Sequence, residues 1–590
     1  LLLDPVDSTS PMAFQFQAPL QFLSLRQQQP RHPKASSRWV GLATGVALTL
    51  TGWVTGPGQA AQNPIIEVGV VQRFGEDQQD ILTLEALSGD RLTLSFETQG
   101  QPQTVTTSKV VLGIKPEVLP EPQLQERVVL STHRSFESAE YSARQWRERG
   151  IATEIAQPGG WEVWADRQAY NTPLLRRLLL TNLEDQGFVE VFLDSRVVGQ
   201  EPRAYFEANG YRYHRDALDI RSNTGRIRVV ENGNTREARI YGGTLNLQTN
   251  TYGTYTLVND VPIETYLRGV VPYEIGPGAP VPAIRAQAVL ARTYALRNLR
   301  RFEIDDYQLC ADTQCQVYRG ITGAVPVTDQ AIQATQGQVL TYNNELVDAL
   351  YSSTTGGVTA PFSDVWDGPD RPYLRSVVDS VYGVWDINQS PLNSEQNFRA
   401  FIAVEEGFNE QTWELFRWDY DSSLAEITED LKGYLGKRQH PQAGLTQVLG
   451  IQVTERASSG RVQAIDIETD VGVVRLKKDE IVRVLSAPRS LLFYVDPIYT
   501  TPEDSAKADS ENADGASTEA NIVASTPPRL TGYRFIGGGW GHGVGMSQTG
   551  SYNLGRLGWS YDRILQFYYP GTTLQPINES LVFWRDPLGE

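Results

Sequence analysis

Residues 264–302 read ETYLRGVVPYEIGPGAPVPAIRAQAVLARTYALRNLRRF, and the fold turns on this stretch. Its second half predicts one long helix over 281–302. Ile284, Ala288, Ala291, Ala295, Leu299 and Phe302 step by four, three, four, four and three residues, which traces one helical face. Pro280 and Pro282 stand at or before the first turn, where proline is tolerated. On either side lie short β-branched runs such as ARIYGGTLNLQ, GTYTLVNDV, VQAIDIET and GVVRLKK. The expected architecture is α+β, strand-rich and multidomain, with the 281–302 helix against a sheet.

The same stretch holds the first candidate for chemistry. Glu274 is flanked by Val270, Val271, Tyr273 and Ile275, after an expected strand and just before the helix. Apolar surroundings raise a carboxyl pKa because desolvation disfavours the ion, and a general acid near neutral pH needs that. A helix N-terminus nearby favours the anion instead. The competing reading is a Glu that makes a helix-start hydrogen bond. Arg292, Thr293 and Tyr294 lie mid-helix among alanines and need partners or a cleft. A buried Arg that anchors a carbonyl or carboxylate is the alternative there.

Two further segments stand out, LYSSTTGGVTAPFSDVW (350–366) and GGGWGHGVGMSQTGSYNLGRLGWSYDRILQFYYPGT (537–572). The run Ser352–Gly357 suits close approach of backbone to a ligand, or else a plain hairpin. His542 stands between two glycines, either reachable or squeezed against another segment. Cys310 and Cys315 lie in LCADTQCQVYRG. In an oxidising compartment such a pair closes a small disulfide, or it stays as free thiols. A metal would need ligands from elsewhere, since no His lies in that segment.

Upstream, residues 126–193 alternate in the order β-α-β-β-α-β, a split βαβ pattern. Ser135 caps the first helix, and Thr172 with Pro173 opens the second. Residues 64–115 read as a small β-rich segment, separated from that unit by the proline-rich joint KPEVLPEPQ (115–123). Residues 501–528 carry six acids against one Lys and no aromatic, and read as a disordered surface insertion. Residues 1–60 combine a basic stretch, a short apolar run from Trp39 to Gly56 and a small-residue exit. That pattern predicts a signal peptide cleaved near Ala60, or an uncleaved N-terminal anchor. Either places the rest of the chain outside the cytoplasm, in the periplasm or cell wall.

Composition narrows the function. The chain has 590 residues, 52 Lys+Arg and 70 Asp+Glu, for a formal charge of −18. With no basic block it is a poor polyanion binder, so no nucleic-acid partner is expected and anionic lipid surfaces drop down the list. Two Cys exclude a disulfide-framework fold and a four-thiolate zinc site.

Taken together, VVPYEI, AIRAQAVLARTYAL, STTGG and GWGHGVGMSQTG resemble the sporulation stage II protein D / LytB amidase-enhancer (SpoIID/LytB) family. Supporting fragments are LVNDVPIETYLRG, CQVYRG, RPYLRSVVD and YYPGT. The likeness spans roughly 200–575. The 126–193 unit resembles, in pattern, the SPOR module, which binds peptide-stripped peptidoglycan glycan; an unrelated ferredoxin-like module is the alternative. The SpoIID/LytB resemblance implies one of two activities. SpoIID-like members are lytic transglycosylases that cut glycan strands, preferring those without stem peptides. LytB-like members enhance a cell-wall amidase. The family's catalytic acid maps onto Glu274. Arg292, Tyr294, Tyr351, Thr355, His542 and Gln548 are then candidates for sugar positioning, and Asp364, Asp367 and Asp379 for a second carboxylate. Some members bind a metal through Cys and His near CQVY. Zinc at Cys310 and Cys315 is not favoured here, for want of a local His, and no cofactor is expected.

Overall fold

The computed structural model describes residues 63–437, 440–500 and 528–586. The expected signal or anchor and all but the last residue of the expected acidic insertion lie outside the described residues. The described chain is mixed α+β and strand-rich.

The helix that decides the fold runs Val281–Arg297. It stops short of the expected 302 because Asn298 leaves helical geometry and caps Tyr294 O with its side chain (2.8 Å). The single apolar face is also a partial account, since every residue from Ala286 to Arg297 is buried. Its alanines let neighbours approach from all sides: the helices Pro326–Ala334, Gln548–Arg556 and Tyr561–Tyr568, and the strand Gln338–Tyr342. Such a helix is a core element, and its polar members must be paired inside.

Two large sheets carry most of the first half. The first has seven strands in the order Leu309–Cys310, Ile65–Phe74, Tyr255–Pro262, Thr244–Thr249, Leu218–Ser222, Leu92–Thr98, Gln101–Thr107. Ile65–Phe74 thus pairs antiparallel with Tyr255–Pro262, from Ile65 opposite Pro262 to Phe74 opposite Tyr255. The second sheet centres on the strand Lys109–His133. That strand runs straight through 115–123, where a proline-rich joint was expected. Pro116 and Pro120 are tolerated because this ribbon, paired only with Phe192–Ala208, is partly exposed and carries a register shift between Val118 and Gln123.

The helices of the β-α-β-β-α-β stretch form as the sequence reads. Phe136–Glu148 is capped by Ser135, whose hydroxyl accepts from Ser138 N, and Pro173–Asp185 by Thr172, which accepts from Leu175 N. The strands lie in the antiparallel order Phe192–Ala208, Lys109–His133, Trp161–Ala165, Thr153–Ala156. The last strand begins at Phe192 rather than at Phe188. This layer is not separate from the rest. Arg300 and Arg301 pair with Glu140 and Glu137, and the Trp161 ring sits between Phe136 and Phe302.

Candidate functional site

Glu274 closes the short helix Val271–Glu274, which follows the helix Ile263–Leu267. No strand immediately precedes it, contrary to the sequence expectation. The apolar residues around it face inward: Val270 and Val271 are fully buried, and Ile275 nearly so. Glu274 itself is partly exposed, and neighbouring Tyr273, Pro277 and Gly278 are open to solvent. Its carboxyl therefore lies at the edge of the core, reachable but poorly hydrated.

Burial pushes the Glu274 pKa up to about 7. Three groups work against burial: the Val317 N–H, the Tyr351 hydroxyl and the Gln548 side chain. Val317 donates to Glu274 Oε1 at 2.8 Å. The Gln548 amide also donates to the Glu274 backbone carbonyl at 3.0 Å. Tyr351 donates to Gln316 Oε1 at 2.9 Å, and the Gln316 amide reaches Tyr266 and the Ala291 carbonyl. Burial outweighs these hydrogen bonds.

The other sequence candidates divide. Tyr351 and Gln548 touch Glu274. Tyr294 lies near enough to be affected by the Glu274 charge, but its hydroxyl is taken by Arg301 at 2.7 Å. Burial brings the His542 pKa down to about 4, so its ring is neutral at pH 7; it packs on Trp366 (5.1 Å) and engages the Tyr351 backbone. Arg292 is fully buried and forms a two-pronged pair with Glu264, both contacts 2.8 Å, plus a bond to the Gln338 carbonyl. It anchors the core and does not contact Glu274. Thr355 is buried too, with its N–H and hydroxyl bound to Glu410 (2.6 and 3.0 Å).

The glycine-rich segments explain that burial. The loop Thr354–Gly357 and the stretch 537–545 lie backbone against backbone. Trp540 N donates to Thr354 O (3.0 Å), and Ala360 N to Gly543 O (2.8 Å). A Cβ on Gly539 would stand 2.8 Å from Gly356 N, and one on Gly356 would stand 2.6 Å from the Gly538 carbonyl carbon. Both glycines have φ in the left-handed region, +83° and +72°. The close approach expected for a ligand is made by another part of the same chain. This interlock seats the parallel pair Tyr351–Ser352 with Met546–Ser547, and so delivers Tyr351 and Gln548 to Glu274 from two segments.

Sequence reading missed Gln316 and Val317, which hold the network from below. Their signal was CQVY, the two positions after Cys315. Cys310 and Cys315 are joined as a disulfide with Cα atoms 5.6 Å apart. Sulfurs bonded to each other offer no thiolate, so the pair as joined here does not fit a zinc site. Of the three candidate second carboxylates, Asp364 binds Ser459, Asp367 pairs with Lys478, and Asp379 is fully buried. None is among the groups acting on Glu274.

Comparison with known proteins bears on these residues. A model described as "Stage II sporulation protein" matches residues 251–342, and one described as "Domain of unknown function (DUF8618)" matches 360–545. The "Amidase enhancer" of Bacillus subtilis (strain 168) is 27% identical over 320 residues, covering 52% of this chain and 40% of that protein. The "Stage II sporulation protein D" of the same organism is 27% identical over 333 residues, covering 54% of this chain and 75% of that protein. An uncharacterized protein of Brachyspira hyodysenteriae is 25% identical over 334 residues, 55% of this chain and 70% of that one. The match thus spans well under half of the amidase enhancer's length. Over residues 251–342, which carry Glu274, the chain is similar to the stage II sporulation protein (SpoIID) family, and over a wider span to the amidase enhancer and stage II sporulation protein D.

Proposed function

We propose that this protein is a peptidoglycan lytic transglycosylase with Glu274 as its acid and base. The observation that carries the reading is one carboxyl, Glu274, set at the edge of the core and pushed by burial up to about 7, while Asp364 and Asp367 are bonded to Ser459 and Lys478 and Asp379 is fully buried. Hydrolytic glycosidases commonly need two carboxylates, because one must activate water or attack the sugar. Intramolecular transfer needs one. Glu274 gives its proton to the oxygen that bridges MurNAc C1 to GlcNAc C4, and the C1–O bond breaks. The MurNAc 6-hydroxyl oxygen then bonds to C1, and its proton returns to Glu274. The products are a 1,6-anhydroMurNAc end and a free GlcNAc 4-hydroxyl, and Glu274 is regenerated. Val317, Tyr351 and Gln548 stabilise the ionised carboxyl that stands between the two proton transfers.

The substrate in this reading is a glycan strand, preferably stripped of stem peptides, met outside the cytoplasm. Among the described residues no helix is long and apolar enough to cross a membrane. The rival reading is a non-catalytic, peptidoglycan-binding enhancer of a cell-wall amidase, favoured by the likeness to an amidase enhancer. A digest of purified glycan strands, with and without stem peptides, separates the two. Anhydro ends that appear with the wild-type chain and vanish in Glu274→Gln support the transglycosylase. Binding without cleavage, together with stimulation of an added amidase, supports the enhancer.

A further inference from the structure

A cavity that the mechanism above does not use lies where the helix Phe136–Glu148 meets the end of the helix Val281–Arg297 and the segment 584–586. Its volume is about 300 Å³, and its wall holds six arginines and six acids. The acids are all committed. Glu137 pairs with Arg301 (3.0 Å) and Asp367 with Lys478 (2.9 Å), two cations from outside the wall. Glu140 holds Arg300 (2.8 Å), Glu345 holds Arg297, Asp348 holds Arg371 (2.7 Å), and Asp586 meets Arg147 at 3.4 Å. Taking those four arginines from the six leaves Arg144 and Arg585. Arg144 lies over the Tyr141 ring and comes no nearer to an acid than 3.9 Å, from Glu148. The Arg585 side chain is exposed and makes no hydrogen bond or ion pair among the described residues. A local excess of cation stands out in a chain whose formal charge is −18.

We propose that this cavity binds a carboxylate-bearing sugar through Arg144 and Arg585, and that its ligand is a MurNAc residue whose lactyl carboxylate is free. Guanidinium groups with uncommitted N–H donors match a carboxylate in charge and in planar geometry. The rest of the wall offers aromatic surface, from Tyr141 and from Trp584, whose ring carries Arg300 at 4.1 Å. Apolar ring faces beside fixed charges suit a sugar with an acidic arm, and the volume stands at the low end for ligand pockets, as one sugar residue requires. The choice of sugar rests on the glycan substrate proposed above. In a glycan strand only MurNAc has an ionisable group, the lactyl carboxylate, and a stem peptide converts it to an amide. An amide carries no charge for the two guanidiniums to meet. Glu274 is not in the wall, so the cavity is a second point of contact with the strand, and it reads whether the peptide is gone. Two layers build it. Arg144 comes from the helix Phe136–Glu148 and Arg585 from the last described segment, and the pairs Arg300–Glu140 and Arg301–Glu137 hold the layers together.

The test measures binding in the full chain carrying Glu274→Gln, so that no strand is cut. Two probes are compared: purified stripped strands, and the same strands after their lactyl carboxylates are converted to simple amides. The stripped strands are expected to bind at least about tenfold more tightly, the worth of one charge-assisted hydrogen bond. Adding Arg144→Gln and Arg585→Gln together brings the stripped strands to the amidated level. Adding Arg144→Lys and Arg585→Lys instead restores part of the difference. Equal binding of the two probes before the arginines are changed, or a ratio that survives the double Gln change, overturns the proposal. A merely structural role would weaken both probes and keep their ratio, which overturns it as well. If the double Gln variant does not fold, Arg585→Glu alone decides, at an exposed position: a lost ratio supports the proposal and a kept ratio overturns it. If the wild-type chain cuts no glycan while the ratio depends on the two arginines, the transglycosylase reading fails alone. If it cuts glycan while the ratio ignores them, the cavity proposal fails alone.

Discussion

Glu274 is held near pH 7 by burial, against the pull of Val317, Tyr351 and Gln548. An acid must be protonated to act, so cleavage should fall as pH rises through about 7. Tyr351→Phe removes a hydroxyl that favours the ionised form and should move that fall to higher pH, read from kcat/KM against pH. The same shift has a stability sign. The folded pKa of Glu274 is raised from 4.5, so its contribution is fully present below 4.5 and is lost as pH climbs through about 7. Glu274→Gln should therefore match the wild type at pH 4 and be more stable by roughly 3 kcal/mol at pH 8, in paired thermal melts. At this scale the sequence pointed to Glu274 through its apolar neighbours, and to Tyr351 and Gln548 through their motifs. It could not separate Arg292 from them, because a buried arginine needs a partner whether or not substrate is near. Here that partner is Glu264, 28 residues away in the chain.

The glycine-rich loops show what an element-level pattern leaves open. STTGG and GGGWGHG both announce close backbone approach, and the structure satisfies each with the other. Gly539 is the sharpest point of that contact, with a left-handed φ and the Gly356 amide against the place a Cβ would occupy. Gly539→Ala should destabilise the fold by more than about 2 kcal/mol, seen as a lower denaturant midpoint with an unchanged slope. A neutral result would mean the two loops separate easily. The helix Val281–Arg297 makes the complementary case. Its period was legible because apolar spacing survives in any context. Its all-round burial was not, because alanine reads as a small face residue as well as a point of close contact.

Across the whole molecule, the elements that frame Glu274 come from both ends of the described chain. Ile65–Phe74 lies between Tyr255–Pro262 and Leu309–Cys310, and the latter strand leads directly to Gln316 and Val317. The sequence showed the first two of these strands individually but not their pairing, since period-two patterns carry no address for a partner some 190 residues away. The divisions at 64–115 and 115–123 were drawn where composition shifts, yet strand pairing crosses both. A chain beginning at residue 200 should therefore lack near-ultraviolet circular dichroism and expose its core to a hydrophobic dye. A sharp cooperative melt from that shortened chain would contradict this account of the fold.

The central claim is that one carboxyl, Glu274, performs an intramolecular glycan cleavage. The most direct measurement is mass spectrometry of purified glycan strands after digestion by residues 61–590, beside the Glu274→Gln variant. The account predicts 1,6-anhydroMurNAc ends from the wild type, reduced at least about 100-fold in the variant. Reducing MurNAc ends, or anhydro ends that survive in Glu274→Gln, would contradict it.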